Sequence, residues 1–242
     1  SMNGYTSANA AITVHGHKKT LPATLARGVF VDLGVLCAAP ARMIRAGIGD
    51  SLCRSTAQVD WRASHRLKGT PYREAPFSLL AGDEPGWLDA TDRVVAGDAE
   101  AMAALARTLL LSGLGMTLCG GSYPASQGEH LISHYLDMRA GESPAALHGE
   151  QVAVATLTMA RLQQALLAGP PPAFRASDVD EAALVAHFGA EVGASCWREF
   201  APKRLDAAGA AALSRRAERE LETLRREADA FAVRAATLEY AM

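Results

Sequence analysis

The chain has 242 residues, 49% hydrophobic and 21% charged, a balance that fits a globular protein able to bury a sizeable core in one large or two small domains. A formal net charge of −2 excludes a general electrostatic grip on nucleic acid, which needs clustered Lys and Arg. No apolar run reads as the roughly 20 residues that cross a bilayer, and no basic-then-apolar leader opens the sequence, so a cytoplasmic protein without a membrane partner is expected.

In chain order, Ala11–Val14 and Thr20–Pro22 read as two short strands around a polar turn at His15–Lys19. Gly28–Leu33 reads as a third, buried strand because it is compact, apolar and β-branched. Three strands make a poor independent sheet, so residues 1–36 look like the edge of something larger. From residue 37 onward the pattern is helical. A helix over Ala38–Ala46 carries Pro40 in its first turn, Gly47-Ile48-Gly49 breaks it, and Asp50 opens the next, which runs to Leu67. Gly69-Thr70-Pro71 ends that helix.

A long helix follows Asp98, with Met102, Leu105 and Leu109 at three- and four-residue steps. After the Gly120–Pro124 loop, Ser126 caps a helix from Gln127 to Arg139, and Ser143-Pro144 marks a turn. The next helix spans His148–Leu167 and stops at Gly169. Two medium helices lead to a long one over Asp206–Phe231, with Leu221, Leu224, Ala228 and Phe231 on its packed face and Glu222 set to pair with Arg226.

Cys37, Cys53, Cys119 and Cys196 are widely spaced without a CxxC pair, so they read as small buried thiols. His15 and His17 read as turn residues, His65 and His187 as partly exposed helix residues, and Trp61, Trp87 and Trp197 as core. Arg42, Arg45, Arg54, Arg62, Lys18 and Lys19 are cations of a type that pairs with phosphate, and nothing in the sequence selects among them.

Four residues carry chemistry: Asp50, His130, His134 and His148. His130 and His134 are four apart on one helix face, and His148 opens the following helix. One Asp oxygen and two His nitrogens suit Zn²⁺, with Fe²⁺ or Ni²⁺ as alternatives, and three protein ligands leave a position open for catalysis. On spacing alone the bland readings stay open: Asp50 as a helix N-cap, the His pair as coincidence, His148 as a solvated turn residue.

The wording around these residues narrows the choice. Gly47-Ile48-Gly49-Asp50, then Thr56-Ala57 and Asp60-Trp61, resembles the "GxGD…TAxxDW" segment of sn-glycerol-1-phosphate dehydrogenases. Ser122–Ser126 with Gly128–His134 resembles their "SxPAS…GxEHxxSH" stretch, His148–Val152 their "HGEQV", and Ser1–Ser7 their "SxDGxxS". Four segments in order across residues 1–155 are similar to that family, which belongs to the iron-containing alcohol dehydrogenase and dehydroquinate synthase-like group.

The resemblance implies a mainly α fold. Residues 37–242 would be the multi-helix, C-terminal metal and substrate domain of a dehydroquinate synthase-like fold, and residues 1–36 a short β remnant of an N-terminal α/β nucleotide-binding domain. It implies Asp50, His130 and His148 as metal ligands, with Asp50 also beside the substrate. His134 would contact substrate and relay a proton, Ser1 and Ser7 would touch NAD(P), and Asn3 would stand where the family has a substrate-contacting Asp. The implied function is metal-dependent, NAD(P)-linked interconversion of sn-glycerol 1-phosphate and dihydroxyacetone phosphate, in phospholipid metabolism, with a homo-oligomer as a further expected association.

No Gly-rich GxGxxG phosphate loop follows a strand in these residues, so the family's cofactor glycines are expected upstream of Ser1. The chain as given is expected to bind a divalent metal and to turn over little. A glycerol dehydrogenase or dehydroquinate synthase-like enzyme is the enzymatic alternative, and a non-catalytic helical scaffold the other.

Overall fold

The computed structural model describes residues 2–139 and 146–240, the side chains of 229–240 excepted. Ser1 and the Ser143-Pro144 turn therefore lie outside the described residues, as does the side chain of Phe231. A 3-10 turn at Met2–Tyr5 leads into β1 (Asn9–Val14) and β2 (His17–Pro22), an antiparallel pair in which Val14 faces His17. His15 and Gly16 form the whole connection, both at positive φ (50° and 77°), as the primed two-residue hairpin turn requires. The strands are thus longer, and the turn tighter, than the sequence pattern implied.

The expected third strand is absent. Residues 24–32 form no ladder and Phe30 is 99% exposed; Asp32 instead caps α1 (Leu33–Cys37), accepting the N–H groups of Gly34 and Val35. A β-prone run becomes a strand only when it pairs with another strand, and residues 28–32 pair with none among the described residues.

Next, α2 (Ala41–Leu52) runs straight through Gly47-Ile48-Gly49, and the chain breaks at Cys53 before α3 (Arg54–Lys68). Asp50 lies inside α2 and opens no helix. Three short helices that the sequence pattern did not reveal follow: α4 (Ala75–Ser78), α5 (Glu84–Leu88) and α6 (Thr91–Val95). Then comes α7 (Ala99–Cys119), capped by the Asp98 carboxylate on Ala101 N–H. The remaining helices are α8 (Gly128–Arg139), α9 (His148–Ala168), α10 (Glu181–Phe188), α11 (Ala190–Phe200) and α12 (Ala207–Tyr240). Gln127, rather than Ser126, is the cap of α8, its carbonyl accepting from Leu131 N–H. The mainly α architecture is the one expected.

The core gathers on α7. Met102, Leu105 and Leu109 meet Ile44, Ile48 and Leu52 of α2, with Trp87 and Val94 closing the far side. Trp87, fully buried, donates its indole N–H to Thr108 at 3.0 Å, so its polar edge is not stranded in the core. Contrary to the sequence reading, α7 is long and apolar enough to cross a membrane by length and composition. Half of that apolar window is buried inside the fold, as in the central helix of a layered domain.

Around this centre, α9 packs on α2 and α8, α12 packs on α3, and the β1–β2 hairpin lies against α8 and α11. Leu221 and Leu224 of α12 are buried as expected, while Glu222 pairs with Arg225 rather than Arg226. Of the four cysteines only Cys53 is buried; the others are half-buried, at element ends or on outer faces where their neighbours do not enclose them.

Candidate metal centre

Of the two glycines that looked like helix breakers, Gly49 is a contact point. A Cβ on Gly49 would come within 2.4 Å of Gly149 O, and one on Gly149 within 1.8 Å of Ala46 O. Helix-interior glycine costs about 1 kcal/mol relative to Ala, and here it lets α2 and α9 cross backbone to backbone. That crossing brings Asp50, next to Gly49, up to His148, next to Gly149. The Asp50 Oδ1 to His148 Nε2 distance is 3.4 Å.

His130 comes from the first turns of α8, whose start is held from two sides. Asp60 of α3 accepts Gly128 N–H at 3.1 Å, and Glu129 accepts Gln127 N–H at 2.8 Å. Asp60 also receives Gln163 of α9 at 2.7 Å, so one half-buried carboxylate links α3, α8 and α9. His130 Nε2 then lies 3.7 Å from Asp50 Oδ1. One donor atom from each of Asp50, His130 and His148 lies within 4.8 Å of the others. The three expected ligands converge.

Each imidazole has a partner on its far nitrogen. His130 Nδ1 meets Glu129 Oε1 at 3.0 Å, and His148 Nδ1 meets the Ser133 hydroxyl at 3.2 Å, which in turn donates to Gln151 Oε1 at 2.7 Å. A carboxylate accepts, so Glu129 holds a proton on Nδ1 and leaves Nε2 as the ring atom that faces Asp50. Glu129 and Ser133 are completely buried, and Thr56 adds a hydroxyl to Glu129 Oε2 at 3.4 Å.

Burial works to raise the Asp50 carboxyl, but the facing imidazoles of His130 and His148 outweigh it and hold its pKa well below the usual range. Burial likewise pushes His130 down, and Asp50, Cys53 and Glu129 together lift it well above an ordinary histidine. Both directions mean that the buried carboxylate demands a positive charge between itself and the imidazoles. A proton answers that demand, and so does a divalent cation.

A second grouping, Cys53, Glu129 and His130, shares one member with the first. Burial pushes the Cys53 thiol up to about 12, and it donates to the carbonyls of Asp50 and Ala125 at 3.0 and 3.3 Å. It stays a protonated thiol, unsuited to ligation beside a ready oxygen and nitrogen set.

His134 lies one turn beyond His130, with ring centroids 6.3 Å apart. Its Nε2 is buried without a hydrogen-bond partner among the described residues. Burial, then the charges of His130, Lys18 and His148, lower its pKa to about 4. Asn3 also joins the centre, donating its amide to Asp50 Oδ2 at 3.2 Å. Ser7 is buried at the foot of β1, where its hydroxyl accepts Asn9 N–H.

A cavity of about 450 Å³ opens on Asp50 and His148; its other walls are mostly apolar, with Leu36, Met43, Met102 and Leu105 among them. None of the six candidate cations lines it. Arg42 pairs with Glu150, Arg54 with Glu84 in full burial, Arg62 with Glu227, Lys18 with Asp137 and Lys19 with Glu199. Arg45 faces a separate hollow beside Asp89 and Arg93. His17 is buried against the Ser195 hydroxyl, and His187 is exposed beside Tyr135.

The residues around the ligands account for the quoted segments almost letter by letter. Within His148–Val152, Gly149 permits the crossing, Glu150 binds Arg42 and caps Leu147 N–H, Gln151 anchors Ser133, and Val152 is fully buried. A family model described as iron-containing alcohol dehydrogenase matches residues 1–40. A glycerol-1-phosphate dehydrogenase [NAD(P)+] of Bacillus licheniformis is 37% identical over 169 residues, covering 69% of this chain and 42% of that protein.

The chain is thus similar to the iron-containing alcohol dehydrogenase family. Within it, the glycerol-1-phosphate dehydrogenase [NAD(P)+] of Thermococcus kodakarensis is 38% identical over 162 residues, 67% of this chain and 46% of that protein. That of Bacillus subtilis is 36% identical over 161 residues, 66% and 41% respectively. The chain thus spans less than half the length of these relatives.

Proposed function

We propose that this chain is the metal- and substrate-binding part of an NAD(P)-dependent oxidoreductase that interconverts sn-glycerol 1-phosphate and dihydroxyacetone phosphate. Asp50, His130 and His148 are the metal ligands in this reading. The observation that carries it is the meeting of their three donor atoms within 4.8 Å, each imidazole backed by a buried partner. The mixed nitrogen and oxygen set favours Zn²⁺, with Fe²⁺ and Ni²⁺ next. When bound, a metal there would supply Lewis acidity at the substrate's C2 oxygen, and the dinucleotide would supply the hydride donor or acceptor for that carbon.

His134 supplies the proton path: its ring is neutral at pH 7 and its Nε2 has no competing partner among the described residues. Asn3 and Asp50 flank the substrate. Residues 37–242 form the metal and substrate part, and residues 1–36, with Ser1 and Ser7 toward the dinucleotide, border the nucleotide-binding part. The relatives' names carry the substrate and NAD(P)+, and this chain shares their residues only over the region it covers.

Metal content per purified chain tests the reading, measured by elemental analysis on the wild type and on His130→Ala. One divalent ion per chain in the first and a large loss in the second is the expected result. An absence of metal from both, with identical folding, would leave a helical scaffold in place of an enzyme. Alone, the chain is expected to show little reduction of dihydroxyacetone phosphate with NADH or NADPH.

A further inference from the structure

Asn3 stands on the Met2–Tyr5 turn, which is fastened to α7 across a long stretch of sequence. The Asn3 carbonyl sits so close to Gly113 that a Cβ there would approach it within 2.1 Å. Thr6 donates its hydroxyl to Leu110 O at 2.5 Å, and Thr117 donates to Thr6 O at 3.0 Å. This fastening carries the Asn3 amide to Asp50, where Nδ2 donates to Oδ2 at 3.2 Å. The other oxygen, Oδ1, is the one that faces His148 and His130.

A carboxylate has two equivalent acceptor oxygens and a soft terminal torsion, so nothing intrinsic decides which of them a ligand meets. The amide decides it. Because the carboxylate only accepts, Asn3 must present its NH₂ rather than its oxygen. An aspartate at position 3 has no such donor and would set a second negative charge against the first.

We propose that Asn3 is a positioning residue that locks the rotation of the Asp50 carboxylate, and so sets how tightly the Asp50–His130–His148 centre holds a divalent cation and with how many oxygen ligands. This inference rests on the metal reading above.

The test uses Co²⁺ as the probe on the 242-residue chain, reading affinity by competition with a chromogenic chelator and coordination by the visible d–d spectrum. Asn3→Ala, at a half-buried position, is expected to bind Co²⁺ about 10- to 100-fold more weakly, the usual effect of losing an outer-shell partner. Its d–d band should weaken as the freed Oδ2 raises the coordination number. Asn3→Gln, which keeps an amide donor on a longer arm, should recover part of both changes. Wild-type affinity and spectrum in Asn3→Ala, or changes that Asn3→Gln leaves wholly unrecovered, overturn the role of Asn3 while the metal centre stands. A wild-type chain without a d–d band, or His130→Ala binding as the wild type does, removes the metal centre and this inference with it.

Discussion

Replacing Gly49 by alanine tests the link between helix packing and the centre. The new Cβ would meet Gly149 O at 2.4 Å and Ala153 Cβ at 2.9 Å, where Cβ contacts below 3.0 Å are not tolerated. Since the closest neighbour is backbone inside α9, it is the helix that must yield, by at least the missing 0.6 Å (3.0 − 2.4). Overpacking of this kind costs about 1–3 kcal/mol. Alanine's better helix propensity returns roughly 1 kcal/mol, which would blur the result if Gly49→Ala were measured alone.

Gly47→Ala removes that ambiguity. It makes the same exchange two residues earlier in α2, where the added Cβ meets only Leu109 Cδ1 at 3.9 Å, an ordinary contact. Propensity cancels between the two variants, and the remaining difference in unfolding free energy should be about 1–3 kcal/mol, with Gly49→Ala the less stable. Urea unfolding with chelator present measures it. Because Asp50 and His148 ride on the two helices that separate, Gly49→Ala should also bind Zn²⁺ at least about tenfold more weakly than Gly47→Ala, comparable to losing a second-shell partner. Equal stability and equal Zn²⁺ affinity in the two variants would refute the claim that this crossing builds the centre.

Glu129→Gln keeps the shape and removes the charge that holds the His130 Nδ1 proton, so Zn²⁺ affinity should fall about 10- to 100-fold in a competition assay. Ser133→Ala should cost less, because it removes a neutral partner of His148. Breaking the buried Arg54–Glu84 pair (2.6 Å) with Glu84→Ala takes a close carboxylate from a buried guanidinium and should lower unfolding stability by about 3–5 kcal/mol in urea. His134 has a folded pKa of about 4 against roughly 6.5 unfolded, so the unfolded chain takes up the proton first as pH falls. Its contribution should drain stability between pH 6.5 and 4 and be absent at pH 7. Urea midpoints for His134→Gln should therefore fall less steeply than wild type across that window and match its slope above it.

The candidate ligands were legible in the sequence, and their setting was less so. Asp50, His130 and His148 stood out by type, spacing and surrounding segments. The sequence placed Asp50 at a helix start because Gly47 and Gly49 look like breakers within a local window. The purpose of Gly49 is tertiary, since the backbone it admits belongs to Gly149, a hundred positions along. The β-like run at Gly28–Asp32 misled for the mirrored reason: strand propensity needs a partner edge, and Phe30 has none among the described residues. The short helices α4, α5 and α6 escaped notice because four or five residues do not complete an amphipathic period. The supporting shell of Glu129, Ser133, Thr56 and Asp60 sat in plain view within the quoted segments, yet spacing gives no means of telling a buried carboxylate from a solvated one.

One local signal did carry that information. Each ligand lies within two positions of a glycine: Gly49 before Asp50, Gly149 after His148, Gly128 before His130. A Cβ on Gly49 would collide with Gly149 O at 2.4 Å and one on Gly149 with Ala46 O at 1.8 Å, both backbone, whereas one on Gly128 would first meet the flexible tip of Met159, at 2.4 Å from Cε. Donors on three separate helices must lie within a few ångströms of one another to share a cation, whereas helix axes ordinarily pack 8–10 Å apart. Asp50 has a single methylene before its carboxyl group, and the close crossing of α2 and α9 sets it 3.4 Å from His148 Nε2. A ligand type beside a helix glycine that meets the partner backbone, as at Asp50 and His148, is therefore a stronger mark of a metal centre than the ligand spacing alone, because the glycine records the close approach of the two helices.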